Sequence, residues 1–119
     1  MLEYRPLTLA DVPAMLPIER DAHRFPWSES LLQDSFGERY CNVGGWRDGQ
    51  LVGFYIADQL LDESTLHNIC VDPGYQGQGL GRELLAHYLQ QSAAAGCRCW
   101  WLEVRRSNLC AQHLYLQAG

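Results

Sequence analysis

The densest chemistry in the sequence is the run Tyr75-Gln76-Gly77-Gln78-Gly79-Leu80-Gly81-Arg82. It lies between a strand-like segment and one of helical period. Glycines there let the backbone turn tightly and let a ligand approach the main chain. The helix start adds N–H groups without acceptors and the positive end of the helix dipole. Together these make an anion site, with a pyrophosphate as the natural occupant. Three kinds of glycine loop compete for the segment. The P-loop needs a lysine on the phosphates, and all nine basic residues of this chain are arginines. The dinucleotide fingerprint wants G-x-G-x-x-G followed by an acid about twenty residues on. Glu103 would serve as that acid, but Gly81 comes one position early. The third kind wants Gln or Arg, two residues, Gly, one residue, then Gly or Ala, and Gln76, Gly79 and Gly81 fit it. A glycine turn serving only close packing is the remaining reading.

Other reactive side chains are less organised. Cys41, Cys70, Cys97, Cys99 and Cys110 are an odd number without regular spacing, which reads as reduced, buried thiols of a cytoplasmic protein. Cys97 and Cys99 are too close for a zinc knuckle, and Cys110 with His113 gives one further pair, so no metal is expected. A lone histidine on a strand, His67, reads as a packed or hydrogen-bonded side chain. Trp46, Trp100 and Trp101 read as core or cleft wall, and Trp27 is the candidate substrate-side contact.

The elements that must carry the loop follow from periodicity. Residues 2–7 alternate like a strand, and Thr8 with Asp11 starts a helix through about Ala22, with Pro13 in its first turn and Pro17 a source of kinking. Phe25-Pro26-Trp27 breaks the chain and Ser28 caps a short helix to about Phe36. Residues 40–47 and 51–60 are strands joined at Asp48-Gly49, a hairpin dipeptide. Residues 63–71 form a third strand, ended by Asp72-Pro73-Gly74. Leu80, Leu84, Leu85, Tyr88 and Leu89 recur at helical spacing before a stop at Gly96. Residues 98–105 form another strand, and Ser107 caps a last helix. Residues 63–105 therefore make a strand–helix–strand unit with parallel strands, and the whole is a mixed sheet in an α/β or α+β layer fold.

Composition narrows the function. A chain of 119 residues with net charge −5 is one domain, globular at 47% hydrophobic residues. An acidic chain without lysine is a poor nucleic-acid binder. No apolar run approaches the roughly 18 residues of a membrane span, and the first residues lack the plan of a signal peptide. The absence of lysine also removes Schiff-base and pyridoxal-phosphate chemistry.

The third loop pattern is that of the acetyl-CoA pyrophosphate loop, and its surroundings fit the same source. Leu61-Asp62-Glu63, Thr65-Leu66, Asn68-Ile69 and Val71-Asp72-Pro73 precede the loop, and Trp101-Leu102-Glu103-Val104-Arg105 with Ser107-Asn108 follows it. Upstream stand Ala22-His23-Arg24-Phe25-Pro26-Trp27-Ser28 and Gly37-Glu38-Arg39-Tyr40. Over nearly its whole length the chain resembles the GNAT family of N-acetyltransferases and, within it, the group that acetylates ribosomal-protein N-termini. The resemblance implies a mostly antiparallel central sheet flanked by helices, with a parallel β-α-β unit for acetyl-CoA.

It implies roles as well. Glu103 would be the base for the α-ammonium, whose pKa near 7.7–8.0 leaves it mostly protonated at neutral pH. By residue type alone, Glu103 reads equally as a surface glutamate paired with Arg105 or Arg82. Tyr115 would protonate the departing thiolate; unaided, it reads as a core tyrosine. Asn108 would contact the pantetheine arm, or simply help Ser107 cap the helix. Backbone groups of Ile69, Cys70 and Val71 would pair with the pantetheine and polarise the acetyl carbonyl. Gln76, Gly77, Gln78, Gly79, Leu80, Gly81 and Arg82 would hold the pyrophosphate. The implied substrate is a ribosomal-protein N-terminus, specifically alanine; other N-termini, lysines or small amines are the alternative acceptors.

The sequence stops at Gly119, where relatives continue into two further strands. Residues 1–119 are therefore expected to be a single domain lacking its last two strands. A binding module with little activity, self-associating through an open sheet edge, is the second expectation.

Overall fold

Asp48 and Gly49 both take positive φ (53° and 80°), as a mirror-image hairpin turn requires, and they join β2 (Val43–Arg47) to β3 (Gln50–Leu60). This hairpin is the middle of a five-stranded sheet. Its outer members are β1 (Glu3–Pro6), β4 (Glu63–Val71) and β5 (Cys99–Leu102), in the order β1-β2-β3-β4-β5. The computed structural model describes residues 2–23 and 25–102. Three pairings are antiparallel and the last, β4 with β5, is parallel. The mixed, mostly antiparallel sheet read from the sequence is therefore the one observed.

The parallel step needs a crossover, and α3 (Leu80–Ala94) provides it. Leu80, Leu84, Leu85 and Tyr88 are buried on one face of α3, against Val52, Tyr55, Leu66, Ile69 and Val71 of the sheet. Burying a leucine such as Leu84, with no exposed surface, stabilises the fold by roughly 1.5–3 kcal/mol. On the opposite face lie α1 (Val12–Ala22) and α2 (Glu29–Gln33). There Val12, Met15, Ile18 and Leu32 pack on Trp46, Phe54 and Ile56.

Local starts and stops mostly follow the sequence. The Thr8 N–H donates to Asp11 Oδ2 at 2.8 Å, but residues 9–11 form a 3-10 turn before α1 begins. Pro13 lies in the first turn of α1 and Pro17 inside it. Ser28 Oγ accepts from the Leu31 N–H at 3.1 Å, and the helix it caps ends at Gln33 rather than near Phe36. The strand expected from residue 40 begins at Val43; Tyr40 makes only an isolated bridge to Asp58.

Two bulges adjust the faces. Gly45 pairs with Gly53 and Trp46 with Leu51, which leaves Val52 as an extra residue in β3. In β4, Asn68 pairs with Ile56 and Leu66 with Ala57, so His67 is the extra residue. An extra residue breaks the two-residue alternation. Leu66, Ile69 and Val71 thus join the α3 face, while Cys70 joins the α1 face.

Candidate active site

Strand β4 runs out at Val71, and the chain turns at once. The Asp72 N–H donates to Val52 O at 2.8 Å, and Asp72 Oδ1 accepts from the Gly74 N–H at 2.9 Å. Pro73–Tyr75 is a 3-10 turn, after which Gln76 Nε2 donates back to Val71 O at 3.2 Å. This contact folds the loop onto the strand end. Gly77 (φ 85°) and Gly79 (φ 77°) take left-handed conformations, and a Cβ at either would meet nothing within 4 Å. Glycine is thus needed there for its backbone, and the space above it is open. Gly79 is the N-cap of α3 and has no side chain to cap it. Among the described residues, nothing accepts from the N–H groups of Gly77, Gly79, Leu80 or Gly81. Such a row of donors at a helix start suits an anion, and the residues present therefore fit a pyrophosphate.

The sequence-derived residues from Ile69 to Arg82 form one continuous strand–loop–helix unit. Ile69, Cys70 and Val71 are buried, so they offer a ligand backbone rather than side chain. Leu80 is likewise buried in the α3 core, which leaves only its main chain for binding. Strand β5 pairs with β4 along residues 63–66, ending at Leu66 with Leu102. Beyond that, among the described residues, the β5-side edge of β4 has no ladder partner. Glu103, Asn108 and Tyr115 lie outside the described residues. The Cys70 thiol is pushed well up by burial, and further by the nearby Glu19 carboxylate, so it stays protonated. That is the wrong state for a nucleophile.

Of the four described cysteines, all are free, with Cys70 and Cys97 buried, Cys99 half-buried and Cys41 exposed, so the expectation of buried thiols fails at Cys41 and holds only in part at Cys99. His67 is hydrogen-bonded, as expected, with Nε2 3.0 Å from Asp58 Oδ2. Trp46 is core and Trp27 packs at its margin, while Trp101 is 58% exposed.

Two features escaped the sequence. Arg47, at the end of β2, donates to Gln78 Oε1 at 2.9 Å and stands 5.8 Å from the Tyr75 ring centroid, which props the glycine loop from the hairpin. The Arg47-Asp48-Gly49 string signalled only a turn. The second is a buried polar cluster under α1. Glu19 Oε1 accepts from Asn68 Nδ2 at 2.8 Å and from the Trp27 N–H at 3.2 Å. Glu19 Oε2 lies 3.0 Å from His23 Nε2 and 3.9 Å from Cys70 Sγ. Ligand atoms of Glu19, His23 and Cys70 fall within 4.8 Å of one another, a metal-like grouping that cysteine spacing did not anticipate. A metal-bound histidine usually gives its second nitrogen to a partner, and His23 Nδ1 has none. With both carboxylate oxygens engaged by donors, the contacts fit a hydrogen-bonded cluster better than a metal site.

Comparison with known proteins agrees with this geometry. The model of the acetyltransferase (GNAT) family matches residues 12–119. The ribosomal protein bS18-alanine N-acetyltransferase of Escherichia coli (strain K12) is 47% identical over 113 residues, 95% of this chain and 76% of that protein. The crystal structure of the Escherichia coli ribosomal-protein-S18-alanine N-acetyltransferase superposes with a TM-score of 0.92 at 45% identity, covering all of this chain and 77% of that one. A Thermoplasma acidophilum N-acetyltransferase crystallised with coenzyme A shares the fold, with a TM-score of 0.81 at 19% identity, over 100% of this chain and 89% of that one. A glycine loop at the head of α3, fed by β4 and matched in order by an acetyltransferase model, leads to one conclusion: the chain is an enzyme of the GNAT family of N-acetyltransferases.

Proposed function

We propose that the chain transfers acetyl from acetyl-CoA to the α-amine of an N-terminal alanine, that of ribosomal protein bS18. The observation that carries the cofactor reading is the open, positive-φ loop of Gly77 and Gly79 at the start of α3. The acceptor reading rests on the relatives' named activity at 47% identity. Acetyl-CoA supplies an activated thioester. The N–H groups at the α3 start hold the two phosphates, and the backbone of residues 69–71 holds the arm along the edge of β4.

Glu103 follows Leu102, the last described residue of β5, and we assign it the proton of the α-ammonium, taken directly or through one water. The freed amine attacks the acetyl carbonyl; a C–N bond forms and the C–S bond breaks. Tyr115 gives a proton or hydrogen bond to the thiolate that leaves, and Asn108 steadies the arm. Residues 1–119 belong to a single acetyltransferase domain in this reading, and the substrate makes the cytoplasm its place of action.

Self-association is a separate proposal. Leu61, Trp100, Trp101 and Leu102 are 87%, 36%, 58% and 41% exposed around β5, and sedimentation across a concentration series tests it. Among the described residues, no helix is long and apolar enough to cross a membrane. The function is tested by release of free coenzyme A thiol with three acceptors: a peptide with N-terminal alanine, the same peptide blocked and carrying a lysine, and a small polyamine. Release with the first alone is expected; equal release with the blocked peptide contradicts the assignment.

A further inference from the structure

Glu19 has no exposed surface at all, yet it sits on a helix with solvent along its other side. Its carboxylate is a junction between three parts of the chain. Oε1 takes the Nδ2 of Asn68 on β4 at 2.8 Å and the backbone N–H of Trp27 at 3.2 Å. Oε2 takes the Nε2 of His23 at 3.0 Å. His23 Nε2 also lies 3.0 Å from Asn68 Oδ1. Both neighbours of that nitrogen are acceptors, so Nε2 carries a proton, while Nδ1 has no partner among the described residues. The ring, the amide and the carboxylate thus define one another's orientation.

The bulge at His67 is what turns Asn68 and Cys70 toward α1. These two residues flank Ile69, in the stretch of β4 assigned to the thioester arm. Helix α3, with Tyr75 of the loop, packs on the other face of the same strand. On the α1 side of the strand, residues 25–28 cross where the Glu19 carboxylate joins the Trp27 N–H to Asn68. Phe25 in that segment is 62% exposed. The Glu19 carboxylate ties the Trp27 backbone to Asn68 of the sheet.

We propose that Glu19 is a positioning residue for the acceptor: through Asn68 and the Trp27 N–H it sets residues 25–28, which receive the acceptor, at a fixed distance from the strand that carries the thioester. The inference rests on the acetyl-transfer reading above. A misplacement near 1 Å costs roughly a hundredfold in rate when reacting groups are held by separate elements.

In Glu19→Gln, one oxygen becomes an NH2. Facing His23, it sets a donor against the Nε2 proton, and Nδ1 offers that proton no acceptor among the described residues. Facing Asn68 and Trp27, it opposes two donors. Either way the junction loosens. The experiment measures acceptor-peptide KM and kcat, coenzyme A affinity by calorimetry, and thermal midpoint for the parent, Glu19→Gln and Phe25→Ala. Rates are normalised to the coenzyme A-binding fraction. Expected for Glu19→Gln is a loss of roughly tenfold to a hundredfold in kcat/KM for the peptide, with coenzyme A affinity unchanged. Expected for Phe25→Ala, at an exposed site, is a raised peptide KM with unchanged midpoint. If Glu19→Gln lowers coenzyme A affinity as much as peptide turnover, the role is merely structural and the proposal is overturned. If Glu19→Gln does not fold, an unchanged peptide KM in Phe25→Ala overturns it. Absence of turnover in the parent chain counts instead against the acetyl-transfer reading, whereas parent turnover untouched by both substitutions defeats the positioning role alone.

Discussion

Gly53 and Gly79 separate what the fold needs from what the ligand needs. A Cβ on Gly53 would stand 2.9 Å from Cys70 O and 2.9 Å from Leu84 Cδ1, where β3, β4 and α3 meet. The carbonyl is fixed in the ladder and cannot retreat, so Gly53→Ala overpacks the core at a cost of about 1–3 kcal/mol. A Cβ on Gly79 meets nothing within 4 Å, but the residue has φ 77°. Left-handed strain costs alanine about 1–2 kcal/mol. The smaller freedom of its unfolded chain returns about 0.4–1 kcal/mol. The net cost in stability is thus at most about 1.6 kcal/mol, and in addition the methyl projects into the space assigned to the pyrophosphate. Losing one charge-assisted hydrogen bond there, worth about 1.5–3 kcal/mol, weakens binding roughly tenfold to a hundredfold. Thermal unfolding by circular dichroism and coenzyme A titration by calorimetry read the two effects. Gly53→Ala lowers the melting temperature by several degrees while the folded fraction binds normally; Gly79→Ala weakens binding by the folded fraction itself, whatever its smaller thermal shift. If Gly79→Ala binds coenzyme A as tightly as the parent, the loop is a packing turn and the anion-site argument fails.

Other predictions follow from the same contacts. Glu103→Gln lowers kcat by roughly a hundredfold to ten-thousandfold and Tyr115→Phe also lowers it, both with coenzyme A affinity unchanged in a calorimetric titration; affinity loss instead of rate loss would reverse their roles. The protonated Cys70 thiol predicts direct transfer, so intact mass after mixing with acetyl-CoA alone shows no added acetyl; a stable adduct at Cys70 would show otherwise. His87 Nδ1 lies in hydrogen-bond contact with the Tyr55 hydroxyl at 2.9 Å, and burial lowers its pKa below 6.5 despite the opposing pull of Glu83. The unfolded chain therefore binds the proton more readily, so this stability is present above about pH 7 and is lost as pH falls through the unfolded value. The melting temperature of the parent should fall more steeply from about pH 7.5 to about pH 5.5 than that of His87→Gln.

Most of the scaffold was legible because its signals are local. Asp48-Gly49 set the hairpin, Glu63 and Val71 bounded β4 as read, and the Leu80, Leu84, Leu85, Tyr88 spacing gave the buried face of α3. The glycine loop was legible for the same reason, since its donors and open space depend on a few consecutive residues. Residues 40–42 read as strand, and the Cys41 N–H does donate to Ala57 O at 2.8 Å, but the Asn42 side chain interrupts the ladder, its Oδ1 accepting from the Ala57 N–H at 3.3 Å and its Nδ2 donating to Ser35 O at 2.6 Å. The bulge at His67 leaves no mark in the alternation of β4, so which face Asn68 and Cys70 take could not be read. The contact between Glu19 and Asn68 joins residues 49 positions apart, and nothing in either neighbourhood announces it. Arg47 read as a strand end because its partner, Gln78, lies 31 residues away.

The central claim is that this site moves acetyl to an N-terminal amine. The direct measurement is tandem mass spectrometry of one peptide, bearing a free N-terminal alanine and an internal lysine, after incubation with the chain and labelled acetyl-CoA. Label is expected on the alanine nitrogen alone. Label on the lysine at comparable yield, or none on a chain shown to bind coenzyme A, would contradict it.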